Sequence, residues 1–188
     1  MQLSIVILSY RNPALLRLCL NSLHQSTVPD LDYVVIVVDG GTTLETRSVV
    51  KHEFQEKFKN IRLIPVKQNT GYTLGVNIGI RAARGDYVLS LNPDIVVTKG
   101  SIEKLLNYLK QHPEVGLIGP ELLNFNGSHQ DSYFRFYTPI TIFYRRIPYL
   151  PFSQKILHHF LMQDQNTEKT QKPDWISGAA YMTSRQAL

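Results

Sequence analysis

Gly85-Asp86-Tyr87-Val88-Leu89-Ser90-Leu91-Asn92-Pro93-Asp94 decides how this chain is read, because an apolar run with the look of a buried strand ends on one carboxamide and one carboxylate. Pro93, with its fixed φ, ends the strand and confines Asn92 to extended backbone, so the two flanking side chains leave the sheet together. Hard oxygen donors at the C-terminal tip of a strand suit a divalent ion that carries a diphosphate. The same three residues also make an ordinary strand-to-helix turn with no ligand, and on these residues alone both readings stand.

Working outward, the chain alternates strands and helices. Residues 3–9 are a short apolar strand, and Asn12 and Pro13 supply an N-cap and first-turn proline for a helix reaching residue 26. Residues 33–38 form a second continuous apolar run closed by Asp39-Gly40-Gly41, followed by a helical pattern over 44–58 and a strand over 61–66. A helix over 70–84 stops at Gly85, residues 86–91 are the fourth strand, 101–111 a helix and 115–118 a fifth strand. Strands separated by helices predict an α/β fold: a Rossmann-like, mainly parallel sheet with helices on both faces.

Beyond Pro120 the rhythm changes. Aromatic residues crowd between 133 and 144, prolines recur at 139, 148 and 151, and the polar stretch 163–172 reads as an exposed loop. Residues 175–182 return to a small, apolar run that can rejoin the sheet. The predicted organisation is therefore 1–120 as an α/β portion and 121–188 as an elaboration of the same domain.

With 188 residues and a 43% hydrophobic share, the chain can bury one sizeable core. Its 20 Lys and Arg against 15 Asp and Glu give +5, a mild surplus suited to phosphate-bearing or anionic partners but not the concentrated stripe of a nucleic-acid protein. Cys19, the single cysteine, falls at core spacing with Leu16, Leu20 and Leu23 and excludes a disulfide within the chain, as a reducing compartment would require. The apolar run 5–8 lacks a basic n-region and is far too short to span a bilayer, so a cytoplasmic location is expected, with peripheral attachment at the inner face of a membrane left open.

A dinucleotide-binding domain needs G-x-G-x-x-G after its first strand, and a P-loop needs a glycine-rich stretch ending in Lys-Ser or Lys-Thr. Ser9-Tyr10-Arg11-Asn12 stands there instead, a polar tip able to contact a nucleoside through hydroxyl and amide groups. A receiver-type reading fails for want of an acidic pair after the first strand, and a sugar-phosphate nucleotidyltransferase would need a glycine-rich, Arg-containing loop there.

Placed side by side, the strand ends resemble those of the family 2 glycosyltransferases, which have the GT-A fold. The resemblance covers nearly the whole length, through Ser4-Ile5-Val6-Ile7-Leu8-Ser9-Tyr10-Arg11-Asn12, Val34-Val35-Ile36-Val37-Val38-Asp39-Gly40, the glycine-punctuated segment 69–80, Leu91-Asn92-Pro93-Asp94 and Trp175-Ile176-Ser177-Gly178-Ala179-Ala180. The Asn-Pro-Asp form and the Trp-Ile-Ser-Gly-Ala run look most like the rhamnosyltransferase-like branch, whose members act on bacterial surface polysaccharides.

That resemblance implies roles residue by residue. Ser9, Tyr10 and Asn12 would border the donor. Asp39 would accept the imide N–H of uracil or thymine, although Gly40-Gly41 departs from the family's usual Asp-Asn-x-Ser and Asp before Gly-Gly is also good turn chemistry. Asn69, Gly71 and Asn77 would contact the nucleoside, while Gly75 and Gly79, each costing about 1 kcal/mol against alanine in a helix, imply a tight fit against nucleoside or sheet. Asp94 and Asn92 stand at the family's Asp-x-Asp motif and would hold Mg²⁺ or Mn²⁺, a Lewis acid for the departing diphosphate. With Asn at the first position one formal charge is missing. Trp175 and Gly178 would line the sugar and acceptor side, the tryptophan face stacking on a sugar ring or packing in a core.

The histidines form no zinc-like spacing. Arg145-Arg146 among Phe143, Tyr144, Ile147, Tyr149 and Phe152 suits an anionic membrane surface or a lipid-diphosphate acceptor, or else a mixed packed and solvated hairpin. In the family the general base is an acidic residue shortly after the Trp-x-Ser-Gly region. Leu188 precedes any such segment, so a C-terminal truncation is expected. Glu121, Asp131, Asp164 and Asp174 do not match its context, and no catalytic residue is assigned. The expected function is an inverting glycosyltransferase moving a sugar from a dTDP- or UDP-sugar, dTDP-rhamnose among them, to a polysaccharide or lipid-linked glycan; the alternative is a nucleotide-sugar-binding fragment or inactive remnant without its base.

Overall fold

The computed structural model describes residues 1–27, 30–41, 44–58, 60–165 and 169–188. It divides into two units, Met1–Pro120 with Gly178–Leu188, and Glu121–Ser177. The first unit runs β1 (Leu3–Ser9), α1 (Pro13–Ser26), β2 (Tyr33–Asp39), α2 (Leu44–Ser48), β3 (Ile61–Pro65), α3 (Gly71–Ala82), β4 (Tyr87–Leu91), α4 (Ser101–Gln111) and β5 (Leu117–Ile118). The second holds β6 (Leu122–Leu123), β7 (His129–Gln130), β8 (Tyr133–Phe134), α5 (Pro139–Arg146), α6 (Ser153–Phe160) and β9 (Trp175–Ile176), after which β10 (Ala180–Ser184) returns to the first.

Among the described residues the main sheet has six strands in the order β3-β2-β1-β4-β10-β5. β1 to β4 are parallel to one another. The strand expected directly after β4 is displaced: β10 lies between β4 and β5, antiparallel to both, with Ala180 opposite Leu91 and Met182 opposite Ile118. Trp175 and Ile176, expected to enter the sheet with the rest of 175–182, pair with Phe134 and Tyr133 in the second unit instead.

Both faces of the parallel strands are covered, which is why they read as unbroken apolar runs. Leu3, Ile5 and Ile7 of β1, with Val35 and Val37 of β2 and Leu89 and Leu91 of β4, share one core with Leu16, Cys19, Leu20 and Leu23 of α1 and Ile102, Leu106 and Leu109 of α4. The alternate residues Val6, Val34, Ile36, Val38 and Val88 form the opposite core, against which Ile78 and Ile80 of α3 pack. α1 starts as its sequence dictates: the Asn12 side chain accepts the Leu15 N–H at 3.1 Å, and Pro13 occupies the first turn. The helix expected over 44–58 keeps α-geometry only through Ser48 and then widens into π-type turns over Val49–Phe54. Val49 and Phe54, five residues apart, are both buried there; a wider turn carries both to one side, which 3.6 residues per turn does not.

Gly79 shows why α3 lies so close to the sheet. A Cβ at this position would stand 2.2 Å from Val6 Cγ1 and 3.1 Å from Val38 Cγ2, and one at Gly75 would stand 2.6 Å from Leu8 Cδ1. The tight fit expected of these two glycines is made with the sheet.

In the second unit, Phe134 stacks on Trp175 with ring centroids 4.2 Å apart, and Phe160 and Tyr137 close the cluster. Trp175 Nε1 donates to the Arg135 carbonyl at 3.1 Å. Of the polar loop expected over 163–172, residues 166–168 lie outside the described residues.

Candidate functional site

From β1 the chain steps to β2 and β3 on one side and then places β4 on the other side of β1. The direction of winding therefore reverses between β1 and β4, where an open α/β sheet leaves a crevice beyond its carboxyl ends. A cavity of about 420 Å³ lies there, of the size that holds a small ligand. Its wall comes from the tip of β1 (Leu8, Tyr10, Asn12), from Gly40 after β2, from Asn69, Gly71 and Tyr72 at the start of α3, and from Asn92, Pro93 and Asp94 after β4.

Alternation along the strands determines which tip residues reach it. Leu8 continues the row of Val6, and Asn92 continues that of Val88 and Ser90; both arrive at the cavity. Ser9 continues Leu3, Ile5 and Ile7, and Asp39 continues Val35 and Val37, so both turn into the layer beneath α1. Ser9 and Asp39 face each other in register, and both are fully buried. The Gly40 N–H seals the tip by donating to the Ser9 carbonyl at 2.9 Å. Of the residues expected at the site, Tyr10, Asn12, Asn69, Gly71, Asn92 and Asp94 line the cavity, while Ser9 and Asp39 stand one layer below it. Asn77 points to solvent, because Gly75, Val76 and Gly79 take the sheet-facing side of α3. Gly178 meets the site through Tyr72, whose hydroxyl donates to its carbonyl at 2.7 Å. Trp175 belongs to the aromatic cluster of the second unit.

Asn92-Pro93-Asp94-Ile95 is a turn closed by Ile95 N–H to the Asn92 carbonyl at 3.3 Å, with Pro93 at the position that suits its φ. A backbone bond from Asn92 N–H to the Ala179 carbonyl at 2.8 Å ties this turn to the segment entering β10. Cys19 Sγ lies below, 3.7 Å from the Asn92 carbonyl. Burial, with the Asp94 charge adding to it, pushes the Cys19 thiol up to about 12. The Asp94 carboxylate itself is exposed and has no ion pair among the described residues.

Asp39 is held differently. One oxygen accepts the Gly41 N–H at 3.2 Å; the other has no hydrogen-bond partner and lies 3.9 Å from Arg47 Nε. At the start of α3, Asn69 accepts the Gly71 N–H at 2.9 Å, fixing the turn into the helix. Burial raises the Tyr72 phenol above its ordinary range, with Tyr181 contributing. Tyr72 was not singled out from sequence, although its place directly after Gly71 at a helix start is the signal that finds it.

Among the described lining residues there is one carboxylate, Asp94, and no Lys or Arg. The donors the β4 tip offers, a carboxylate and a carboxamide oxygen, are hard oxygens, and no group of three or more His, Cys, Asp or Glu able to hold a metal occurs among the described residues. Such a pair fits Mg²⁺ or Mn²⁺ that arrives with phosphate oxygens completing its shell, not a cage built wholly of protein.

A family model described as glycosyl transferase family 2 matches residues 4–170, and the chain belongs to that family. It is similar to the amylovoran biosynthesis glycosyltransferase AmsE of Erwinia amylovora, 26% identical over 79% of this chain and 49% of that protein. An uncharacterized glycosyltransferase of Haemophilus influenzae is 30% identical over 70% of this chain and 49% of its own length. The crystal structure of TarS 1–349 from Staphylococcus aureus superposes with a TM-score of 0.61 at 20% identity, covering 75% of this chain and 44% of that one. These likenesses establish the GT-A architecture. The chain spans about half the length, or less, of the curated relatives it matches.

Proposed function

We propose that the cavity at the β1/β4 crevice binds a nucleoside diphosphate sugar and that the chain carries the donor half of an inverting glycosyltransferase. The convergence of Tyr10, Asn12, Asn69, Asn92 and Asp94 on one cavity at the reversal of winding carries this reading. TarS has been crystallised with UDP and with UDP-GlcNAc, and the Pyrobaculum calidifontis mannosyltransferase PcManGT with GDP-Man and Mn²⁺. UDP- and dTDP-sugars are the donors assigned here, dTDP-rhamnose being the one that the Asn-Pro-Asp form favours; the acceptor is a polysaccharide or lipid-linked glycan. AmsE, named for amylovoran biosynthesis, supports that acceptor class.

Among the described lining residues a diphosphate in this cavity meets the Asp94 carboxylate and no Lys or Arg, so the pair repels unless a divalent cation stands between them. Asp94 and the Asn92 amide oxygen would hold that ion, whose chemistry is to neutralise charge on the leaving diphosphate. Asn12, the N-cap of α1, and Gly71, the first residue of α3, both line this cavity, so the positive ends of two helix dipoles stand beside the anion. The unpartnered oxygen of Asp39 is assigned to the imide N–H of uracil or thymine, a contact that requires the turn held by Gly41 N–H to draw back.

The test is a thermal-shift series of UDP, dTDP and GDP with and without Mn²⁺. At a hundred times the dissociation constant, binding adds about 2.7 kcal/mol, or about 5–10 °C in a domain of this size. UDP or dTDP with Mn²⁺ is expected to give that rise, and Asp94→Ala to remove its Mn²⁺ dependence; no shift with any of the three ends the proposal. Calorimetry is expected to find Mn²⁺ weak without nucleotide, and strong nucleotide-free binding lost in Asp94→Ala would contradict the weak-affinity part. A second reading, a donor-binding remnant, is favoured by the single carboxylate among the described lining residues, which leaves none of them to act as base. Donor binding without hydrolysis or transfer would select it.

A further inference from the structure

The second unit carries an apolar and cationic face that the nucleotide site does not use. Residues 132–163 contain no Asp or Glu, yet include Arg135, Arg145, Arg146 and Lys155. Within this stretch α5 buries only Thr141. Tyr149 is 84% exposed, Phe152 76% and Phe143 50%. Between α5 and α6 an apolar groove of about 580 Å³ is walled by Pro139, Ile140, Phe143, Tyr144, Phe152 and Ile156.

Phe152 makes the exposure harder to dismiss. Its backbone sits at φ 68°, a left-handed conformation that a bulky aromatic residue rarely adopts, and it does so while holding its ring in solvent at the head of α6. The cations are distributed unevenly. Arg145 is engaged by the Tyr137 hydroxyl and lies over the Tyr137 ring at 5.3 Å. Arg146 and Lys155 have neither a hydrogen bond nor an ion pair among the described residues, and both are exposed.

Clustered exposed rings mark an interaction surface, and charge decides what covers this one. A second copy of the chain would set cations against cations. An anionic bilayer meets both requirements, offering lipid phosphates to Arg146 and Lys155 and the acyl boundary to Phe143, Tyr149 and Phe152. No helix among the described residues is long and apolar enough to cross a membrane, so the contact is peripheral. We propose that the α5–α6 hairpin docks this chain on the surface of an anionic phospholipid bilayer, with its aromatic tips inserted and its cations on the headgroups.

Co-sedimentation of the 188-residue chain with phosphatidylcholine vesicles, pure or containing phosphatidylglycerol, tests this. Binding to the mixed vesicles alone is expected, with release as salt rises. Arg146→Gln with Lys155→Gln should lower partitioning about thirtyfold, and Tyr149→Ser with Phe152→Asn about tenfold or more, asparagine suiting the left-handed backbone. The near-UV signal of Trp175, in the aromatic cluster of the same unit, reports folding of the variants, and the salt titration of the unsubstituted chain stands without them. The nucleotide-induced thermal shift should be the same in all variants, separating this contact from the cavity. No binding to mixed vesicles, equal binding to both kinds, or indifference to loss of the two cations would each overturn the proposal. A dimer that dissociates in Tyr149→Ser/Phe152→Asn would assign the face to a second copy instead.

Discussion

Replacing Gly79 with alanine puts a methyl 2.2 Å from Val6 Cγ1 and 3.1 Å from Val38 Cγ2. Carbon atoms rest at about 3.5–4.0 Å, so α3 must lift by more than an ångström or Val6 must leave its rotamer. Val6 is fully buried in the second core and has little room to do so. Overpacking of this kind costs about 1–3 kcal/mol, and the size of the overlap argues for the upper end. Alanine's better helix propensity returns about 1 kcal/mol. The net loss is about 2 kcal/mol, or about 4–8 °C in melting temperature for a domain of this length, read by far-UV circular dichroism. Val6→Ala alone should cost about 2 kcal/mol through two lost methyls and the cavity they leave. Because it also vacates the clashing position, the double variant should lose at least about 1 kcal/mol less than the sum. An exposed helical glycine would show the opposite sign. A raised melting temperature in Gly79→Ala, or strict additivity in the cycle, would refute the close approach of α3 to β1.

Three further outcomes follow from single sites. The buried Ser4 Oγ accepts the N–H groups of Arg84 and Gly85 at 3.1 and 2.9 Å. Ser4→Ala strands these donors and should cost about 2 kcal/mol, seen as a melting temperature lower by about 4–8 °C; an unchanged melting curve would contradict the bonds. Cys19, buried and with its thiol pushed up to about 12, should resist iodoacetamide at pH 8 in the folded chain and react only after denaturant is added; rapid native labelling would show that the floor beneath Asn92 opens. The hydrogen bond from Arg135, seconded by His159, holds the Asp164 carboxyl down to about 2. Its folded value lies below the ordinary 3.8, so what the ion pair contributes is present above that pH and is lost as pH falls through about 2. By carboxyl NMR, Asp164 should remain ionised at pH 3.5, whereas Arg135→Gln should titrate there; identical titrations in the two proteins would exclude the pair.

Much of the fold was legible because β1, β2 and β4 are buried on both faces and stand out as unbroken apolar runs. Asn12 with Pro13 likewise announced the start of α1. The position of β10 was not legible. Its partner β5 contributes only Leu117 and Ile118, and a long-range antiparallel pairing across so short a strand leaves no periodic trace in the sequence. The widening after Ser48 escaped for a related reason: Val49, Val50, Phe54 and Phe58 fit a helical pattern loosely enough that the turn width stays undetermined until they pack. At the site, residue types at the strand tips were readable, but strands apolar on both faces do not announce which alternate row turns toward the cavity. That one-residue question put Asn92 in the cavity and Ser9 and Asp39 beneath it.

The same parity has an electrostatic consequence. Had Asp39 faced the cavity beside Asp94, two carboxylates would confront a diphosphate with no Lys or Arg among the described lining residues to offset them. Turned under α1, Asp39 lies 3.9 Å from Arg47 Nε and leaves one oxygen without a hydrogen-bond partner, a costly state that a neutral N–H donor relieves and a phosphate worsens. Asp94, exposed and without an ion pair among the described residues, is in the opposite condition: a cation satisfies it and a bare phosphate does not. On the proposed reading the two acids are sorted by burial alone, the enclosed one matched to an uncharged base and the open one to a metal-bearing diphosphate. Moving Asp39 by a single position along β2 would turn it to the other face of the pleat and undo that sorting.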